Sequence, residues 1–402
     1  MTPKQLLEEA AALSKTLVAY RRYLHTHAET GFDLPDTLAF VKNKLNQMGY
    51  EPANCGKAGL IALAGGKKKG PVFLIRGDMD ALPIFEQAAV DFPSTNGRMH
   101  ACGHDLHTAM MLGAARLLKQ HEDEIQGTVK LMFQPAEEIF EGAKDMLQAG
   151  LLSNPDVDAA LMIHVIAGMP YTPGTIIVPT PGISAPAADY FTITICGKGC
   201  HGSMPSTGID PLNAAAHILI SLQEIQAREL AVKDLAVLTI GTMHAGTAAN
   251  VIPDTVVMEG TLRTYDEQIR IFIKERIKQI TEGIAGAFRA RATVAFGSGC
   301  PALANDEELC LYTETFLKEL LGEKKTLSAS KHPQKASGSE DFAYVSQRVS
   351  SIMLSMAAGQ PEKGYCYPQH HPMVTFDEQI LAEGSAVYTY TAMRWLEAHS
   401  TV

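Results

Sequence analysis

The chain has 402 residues, which is long enough for two domains, and a composition of 46% hydrophobic and 19% charged residues is that of a globular protein. Its formal net charge of -10 argues against nucleic acid or an anionic membrane surface as a partner, because either would favour a clustered basic face. A small-molecule substrate fits this composition better.

The N-terminal segment and the cysteines both favour a cytoplasmic protein. Residues 1–15 mix charged and apolar side chains, which predicts an amphipathic helix and not a signal sequence. The longest apolar stretch, residues 159–169, contains His164 and is much shorter than the roughly 20 residues that span a bilayer. The seven cysteines are scattered and odd in number, which suits a reducing compartment better than a disulfide framework.

Three short apolar runs predict buried strands, and metal-competent side chains follow each of them directly. The runs are residues 71–76, 128–133 and 159–163. The side chains that follow them are Asp78 and Asp80, then Glu137 and Glu138, then His164. Because ligands collect at the carboxyl ends of strands in open α/β sheets, we expect these side chains at one site.

Between the first two strands, apolar residues at helical spacing predict a helix over 106–124, with Asp105 as its N-cap. Residues 178–187 are rich in Pro and other turn formers, which indicates a hinge. Helices are also predicted at 306–321 and 382–397, near the end of the chain.

After the hinge, the predicted elements follow the order βαββαβ. They are a strand at 189–197, a helix at 211–230, strands at 236–242 and 255–264, a helix at 267–289 and a strand at 292–296. Such a split unit closes as a compact four-stranded sheet with two helices. We therefore expect residues 187–297 to form a domain inserted into an α/β domain, which is built from residues 1–186 and 298–402.

Residues 99–108, Met-His-Ala-Cys-Gly-His-Asp-Leu-His-Thr, crowd one thiol and three imidazoles into a short segment. Gly103 permits a tight loop that aims Cys102 and His104 at one ion. A buried cysteine beside solvated histidines is the alternative for this segment taken alone. Together with the side chains at the strand ends and the His370–His371 pair, however, the chain has enough ligands for two ions. The mixture of nitrogen, oxygen and sulfur favours zinc, manganese, cobalt or nickel over magnesium.

The adjacent glutamates Glu137 and Glu138 have two interpretations. Hydrolysis at a metal needs one carboxylate as a ligand and another, unligated, to hold and deprotonate a water molecule. Alternatively, Pro135 and the two glutamates begin a helix and complement its dipole. The residues alone leave both interpretations open.

Several ordered motifs make the chain resemble the M20 metallopeptidases over nearly its whole length. The similarity is to the amidohydrolase branch, which cleaves N-acyl amino acids, hippurate-type substrates and auxin conjugates. The motifs are RRYLH at 21–25, RGDMDALP at 76–83, GRMHACGHD at 97–105, FQPAEE at 133–138, GCHGS at 199–203, NVIPD at 250–254, GSEDF at 338–342 and HHP at 370–372. The resemblance implies a zinc-peptidase-like α/β catalytic domain that carries a ferredoxin-like lid, through which relatives often dimerise.

The resemblance also implies roles for individual residues. The metal ligands would be Cys102, His104, Glu138, His164 and His370, with Cys102 where many relatives have a bridging aspartate. Glu137 would be the general base, and Asp80 would orient a ligand. Asp78 lies where other branches have a histidine ligand, so its role stays open, as does the choice of His371 in place of His370. His100 and His107 are assigned to supporting roles.

On the lid, His201, Asn250 and Arg263 match positions that contact substrate in relatives, and the histidine commonly reaches the partner subunit's site. The planar guanidinium of Arg263 suits a free α-carboxylate. From the sequence alone, a solvated strand residue is the favoured interpretation of Arg263. The family's usual motif wording is not kept at Ala28, at residues 34–35 and at residues 165–169, and these departures bear on the acyl pocket.

These inferences predict a homodimeric enzyme with two divalent ions per subunit, which hydrolyses the amide bond of N-acyl amino acids. Three alternatives remain. The same two-metal site could serve a dipeptidase or carboxypeptidase, Cys102 could be a nucleophile paired with His104 without any metal, or the inserted domain could be a binding module. The predicted strands of that domain lack the basic and aromatic pattern of an RNA platform.

Overall fold

The computed structural model describes residues 1–329 and 338–400, which form two compact units. The first unit comprises residues 1–184, 304–329 and 341–400, and the second comprises residues 185–303 and 338–340. Both contain helices and sheets, which confirms the predicted α/β class. No helix in the described ranges is both long and apolar enough to cross a membrane.

The first unit is built on an eight-stranded mixed sheet, in the order β1-β2-β4-β3-β5-β16-β6-β15. Its strands are β1 (Ala53–Cys55), β2 (Gly59–Gly65), β3 (Val72–Asp78), β4 (Thr128–Gln134), β5 (Ala159–Ile166), β6 (Ile176–Val178), β15 (Thr326–Ser328) and β16 (Ser350–Ala357). The four central strands β4, β3, β5 and β16 are parallel, so their carboxyl ends meet at one edge. All seven residues of β3 are buried, as expected for a strand covered on both faces.

Helices cover this sheet and bury its apolar side chains. They are α1 (Pro3–Ala12), α2 (Ser14–Thr26), α3 (Pro35–Gln47), α4 (His104–Gln120), α5 (Gly142–Gln148), α8 (Glu307–Leu321), α9 (Ala343–Ser346) and α10 (Ile380–His399). Helices α4 and α10 pack on each other and are buried along most of their length. The Tyr388 hydroxyl of α10 donates to the Arg76 carbonyl at 2.7 Å and accepts from the Ile163 amide at 2.9 Å, which ties the helix to two central strands.

Two details of the predicted helices are wrong. Residues 1–15 are not one helix, because α1 ends at Ala12 and α2 begins at Ser14. Helix α4 begins at His104, so Asp105 lies inside the first turn and does not cap it. The N-cap position is instead taken by Gly103 at φ 91°, where any Cβ would lie 2.4 Å from the Val165 side chain.

The second unit has its own four-stranded antiparallel sheet, in the order β10-β12-β8-β13. Its main elements are β8 (Ala187–Cys196), α6 (Pro211–Glu224), β10 (Ala236–Ala245), β12 (Thr255–Thr264), α7 (Glu267–Ala287) and β13 (Arg291–Cys300). Their order is βαββαβ, although α6 is shorter than predicted and ends in a π-helical turn. Asp210 and Asp266 cap α6 and α7 through their side chains, and the unit encloses a separate apolar core.

Short strand pairs complete the described structure. They are β7 (Gly182–Ala185) with β14 (Leu303–Asn305), and β9 (Cys200–His201) with β11 (Val251–Ile252). All seven cysteines lie in the described ranges, and none forms a disulfide.

Candidate metal centre

The carboxyl ends of the parallel strands bring together the predicted donor side chains of the first unit. There are three sets of donor side chains here, and within each set the donor atoms lie within 4.8 Å of one another. Because the sets share members, they form one cluster. The sets are Cys102, His104 and His164, then Cys102, Glu138 and His370, then His104, Glu137 and Glu138. The five predicted metal ligands and the predicted base therefore lie at one place, although they are spread over more than half of the chain.

His104 is oriented by the main chain of Asp80. Its Nδ1 donates to the Asp80 carbonyl at 2.8 Å, which directs Nε2 towards the carboxylates of Asp78, at 3.5 Å, and Glu138, at 3.8 Å. Both His104 Nε2 and Glu138 Oε1 are buried without a hydrogen-bond partner in the described structure. A cation between these two unsatisfied atoms would give both of them a partner. A histidine that binds a metal is normally held in place through its other ring nitrogen, as the Nδ1 of His104 is here.

Glu137 and Glu138 lie in a tight turn that the Asp80 carboxylate holds. The Glu137 and Glu138 amides donate to the two Asp80 oxygens at 3.0 and 3.2 Å. Ala136 before them has φ 54°, in the left-handed region, and α5 begins only at Gly142. The interpretation of the two glutamates as a helix start is therefore wrong.

Burial raises the pKa of Glu138 to about 7; His104 opposes this rise, and the nearby carboxylates of Asp80 and Asp78 add to it. Burial also raises the pKa of the Cys102 thiol well above its ordinary range. Both groups are thus surrounded by too little positive charge to ionise easily. A bound cation would supply that charge and favour the carboxylate and the thiolate.

His164 and His370 complete the cluster from two other segments. His164 Nδ1 donates to the Val165 carbonyl at 2.7 Å, so Nε2 faces Cys102 Sγ at 3.5 Å. Burial lowers the pKa of His164 to about 3, which keeps the ring neutral as a metal ligand requires. His370 has φ 66°, and its Nε2 lies 3.5 Å from the Glu138 carboxylate.

His371, the other candidate for the last ligand, is engaged elsewhere. Its Nδ1 accepts from the Met373 amide at 3.1 Å, and its ring stacks on Tyr367 with a centroid distance of 4.4 Å. The geometry therefore favours His370.

Asp78 is held mainly by residues that do not belong to the donor set. Its Oδ1 accepts from His107 Nδ1, and its Oδ2 accepts from Arg76 Nη1, both at 2.6 Å. Although burial opposes ionisation, the charge of Arg76 and the nearby imidazoles keep the pKa of Asp78 well below its usual range. His107 Nε2 also accepts from the Val165 amide at 2.9 Å, so both ring nitrogens of His107 have protein partners. Asp78 and His107 therefore support the cluster through these contacts, as residues outside the proposed ligand set.

Sequence reasoning missed a buried network behind the first turn of α4. Arg21 Nε donates to Asp105 Oδ2 at 2.7 Å, and His25 Nδ1 lies 2.9 Å from the same oxygen. His25 Nε2 in turn lies 3.1 Å from the Glu86 carboxylate. Because Asp105 directly follows His104, this network fixes the ligand loop to α2. The RRYLH motif was a signal that these residues matter, but nothing in it indicates a partner 84 positions away.

Sequence reasoning also missed the contacts of Asp341, which lies in the GSEDF motif. Its Oδ1 accepts from Gln134 Nε2 at 2.6 Å and from Arg76 Nη2 at 3.2 Å, and its Oδ2 accepts from the Ala143 amide at 2.9 Å. One carboxylate thus connects β3, β4 and the start of α5, on both sides of the glutamate turn.

The three predicted substrate contacts lie in the second unit. His201 is exposed on β9 and pairs with Val251 of β11. Asn250 lies just before that strand, and its carbonyl accepts from the Gly202 amide at 2.7 Å. Arg263 is half-buried on β12, donates to Ser339 Oγ at 2.7 Å and lies 5.8 Å from the Tyr190 ring centroid. Their contacts with a substrate stay a prediction.

Comparison with known proteins gives a consistent result. Residues 74–394 match the model of peptidase family M20/M25/M40. The chain is 36% identical to N-acetyl-L-cysteine deacetylase of Bacillus subtilis (strain 168), over 97% of this chain and 90% of the relative. It is 32% identical to thermostable carboxypeptidase 2 of Saccharolobus solfataricus, over 98% of each chain. A crystal structure from Bacillus subtilis, described as a dinuclear metal-binding peptidase of the M20 family, superposes with a TM-score of 0.79 at 35% identity and covers 96% of this chain and 99% of that one.

These matches extend over almost the whole chain, so the resemblance is confirmed. The chain belongs to the M20 peptidase family and is a metal-dependent amidohydrolase.

Proposed function

We propose that this protein hydrolyses N-acyl amino acids and releases a carboxylic acid and a free amino acid. The observation that best supports the proposal is the pairing of two glutamates with different surroundings at one buried cluster. Glu138 faces the donor atoms of His104 and His370, whereas Glu137 lies beside them in the same turn. The similarity to a deacetylase of an N-acetyl amino acid supports the substrate class.

The described residues fit two divalent cations. The unsatisfied His104 Nε2 and Glu138 Oε1 are buried, and the set of nitrogen, oxygen and sulfur donors suits zinc, manganese, cobalt or nickel. Cys102, His104, Glu138, His164 and His370 would hold the ions. When bound, such ions lower the pKa of water towards neutrality and polarise a carbonyl oxygen.

The protein's own residues then carry the protons. Glu137 would take a proton from the attacking water as its oxygen adds to the amide carbonyl carbon, and would deliver that proton to the nitrogen as the C–N bond breaks. Asp80 would keep Glu137 in place through the amide hydrogen bond that it accepts. Arg263 would bind the α-carboxylate, and His201 and Asn250 would contact the substrate near the reacting amide.

We also propose a homodimer formed through the second unit, which would act as a lid. Strand β10 is an edge of its sheet, and Ile220 on α6 and Met243 on β10 are exposed apolar residues. An uncovered apolar edge strand favours pairing with another copy. A cytoplasmic location remains a prediction, and the free thiols agree with a reducing compartment.

The second candidate function is that of a dipeptidase or carboxypeptidase, which the similarity to a carboxypeptidase favours. A metal-free mechanism with Cys102 as the nucleophile is weaker, because the raised pKa of its thiol opposes formation of a thiolate.

A substrate screen separates the two amide-cleaving candidates. The metal-reconstituted enzyme would be given N-acetyl and N-benzoyl amino acids and, in parallel, free dipeptides, with amino-acid release as the measurement. We expect the acylated amino acids to be turned over at least about tenfold faster than the free dipeptides. A pocket that binds an uncharged group discriminates between substrates by about this factor. Preference for dipeptides would overturn the proposal.

A further inference from the structure

A cleft of about 320 Å³ opens between three helices of the first unit and shares no residue with the donor cluster. Helix α2 contributes Leu17 and Tyr20 to it, α3 contributes Lys44, and α4 contributes Arg116. Helix α4 begins at His104, and at 1.5 Å per residue Arg116 lies about 18 Å further along its axis. We call this feature the helix cleft, and it is separate from the candidate metal centre.

The inner wall of the helix cleft is apolar. Leu17 is 1% exposed and Leu112 is fully buried, and both belong to the apolar core of the first unit. Leu13 and Met48 also line the cleft and are half-buried against that core. A cleft of this volume with a mainly apolar wall is at the lower end of the size range of sites that bind small molecules.

Two cationic side chains line the same cleft, and both lie near the Tyr20 ring. Lys44 Nζ is 4.9 Å from the centroid of that ring. Burial raises the pKa of Tyr20, and the charge of the exposed Arg116 opposes this rise. Within residues 1–329 and 338–400, neither cationic side chain makes an ion pair or a hydrogen bond. Their positive charge is therefore available to a ligand.

The positive charge of the helix cleft is not balanced by nearby acids. The whole chain has a formal net charge of -10, and other basic side chains on the same helices have acidic partners. Lys119 of α4 lies 2.9 Å from Glu122, and Arg22 of α2 lies 2.7 Å from Glu378. Among the described residues that line the cleft, in contrast, none is acidic. Charge complementarity thus favours an anion, and the apolar wall favours an anion with an apolar body.

From this we infer that the helix cleft binds a small carboxylate that carries an apolar or aromatic group. The guanidinium of Arg116 would bind the carboxylate, which its planar shape suits, and Lys44 would add a second positive charge. Tyr20 and Leu17 would contact the apolar group. Carboxylic acids of this kind are among the products of the proposed reaction, but the inference does not rest on that reaction, because the cleft has no residue in the metal centre.

The test follows the methyl group of Met48, which reports on the helix cleft and not on the metal centre. Methionine methyls are labelled with carbon-13 in the zinc-loaded protein, and the Met48 signal is identified by its loss in Met48→Leu. The probe is 3-phenylpropanoate, and its neutral amide, 3-phenylpropanamide, is the matched compound without the charge. We expect the carboxylate to shift the Met48 signal with a Kd of about 1 mM, a value suited to so small a ligand. The amide should bind at least about tenfold more weakly.

Variants of the two cations test the assignment of the charge. Arg116→Gln should weaken binding of the carboxylate at least about tenfold, because a charge-assisted hydrogen bond is lost. Lys44→Gln should weaken it about threefold, because a charge near water is partly screened. Arg348→Gln is the control, since it removes the same charge from an exposed position of the first unit outside the cleft. Its affinity should equal that of the unaltered protein.

Three results would overturn the inference. The first is a Met48 signal that 3-phenylpropanoate does not move, even if other methionine signals respond. The second is equal affinity for the carboxylate and the amide, which would leave only apolar contact. The third is an unchanged affinity in Arg116→Gln, with the remaining methionine signals showing that the variant is folded. None of these results bears on amide hydrolysis, so the proposed function stands or falls separately.

Discussion

At the scale of single residues, Asp80 contacts both a proposed metal ligand and the turn that carries the proposed base. Its carbonyl oxygen fixes the tautomer and direction of His104, and its carboxylate fixes the turn that carries Glu137 and Glu138. The proposed ligand and the proposed base are therefore both positioned by one residue. Such outer contacts determine how well a site is preorganised.

Replacing the proposed base separates metal binding from catalysis. In Glu137→Gln, the amide keeps the shape of the side chain but cannot accept the proton, so we expect kcat to fall about 10²- to 10⁴-fold. Metal content, measured by elemental analysis, should stay at the level of the unaltered enzyme, since Glu137 is not among the proposed ligands. Turnover close to normal in this variant would rule out Glu137 as the base.

Metal uptake should depend on pH through Glu138. Its folded-state pKa of about 7 means that a proton occupies the carboxylate of the metal-free protein below that pH, and the proton has to leave when an ion binds. We expect the affinity for the metal ion to fall as the pH drops from about 8 to about 6. Calorimetry in buffers of different ionisation enthalpy should detect the release of a proton on binding. In Glu138→Gln, this release should be smaller, and an unchanged release would contradict the assignment.

At the scale of elements, α4 positions the loop of Cys102 and His104, because the first turn of this helix is held by side chains of α2. The side chain of Asp105 is fully buried and bonds Arg21 and His25 of α2. Gly103 allows the sharp entry into the helix, so the loop and the helix start are fixed together.

Removing this anchor should destabilise the fold much more than removing a surface ion pair. Asp105→Ala leaves Arg21 buried without its main partner, and we expect the free energy of unfolding to fall by about 3–5 kcal/mol in urea denaturation. Asp123→Ala is the control, because Asp123 pairs with Lys67 at 2.6 Å but both side chains are largely exposed. That change should leave the free energy of unfolding nearly unchanged, because water screens an exposed pair. Similar losses in the two variants would contradict the anchoring role.

The elements also show which features can be predicted from sequence. Side chains that directly follow apolar runs, such as Asp78 and His164, could be placed together because parallel strands end at one edge. The partners of Asp105 could not, since their contacts depend on how α2 packs against α4. The glutamate turn was equally hidden, because Pro followed by acidic residues is also a good helix start.

At the scale of the whole molecule, the candidate metal cluster lies in the first unit, and the predicted substrate contacts lie in the second. The structure describes each unit with its own apolar core. That residues 187–297 fold as a separate domain and close over the cluster stays a prediction. The members of the three overlapping donor sets, Cys102, His104, Glu137, Glu138, His164 and His370, all lie in the first unit.

The proposed homodimer gives a prediction at this scale. We expect the unaltered protein to have twice the monomer mass in size-exclusion chromatography with light scattering. Met243→Lys places a charge on the edge strand β10 and should shift the protein towards monomer, because charged edges oppose strand pairing. Val232→Lys, at a fully exposed position outside the strand, is the control and should leave the mass unchanged. A monomeric unaltered protein at micromolar concentration would refute the dimer.

The central claim is that amide hydrolysis depends on divalent ions held by the donor cluster at the strand ends. It is tested most directly by measuring amino-acid release from an N-acyl amino acid before chelation, after chelation and after adding back zinc, manganese, cobalt or nickel. We expect chelation to abolish release and at least one of these ions to restore it, with no restoration in His104→Ala. Undiminished release by the metal-free protein would contradict the account and point instead to the Cys102 thiol.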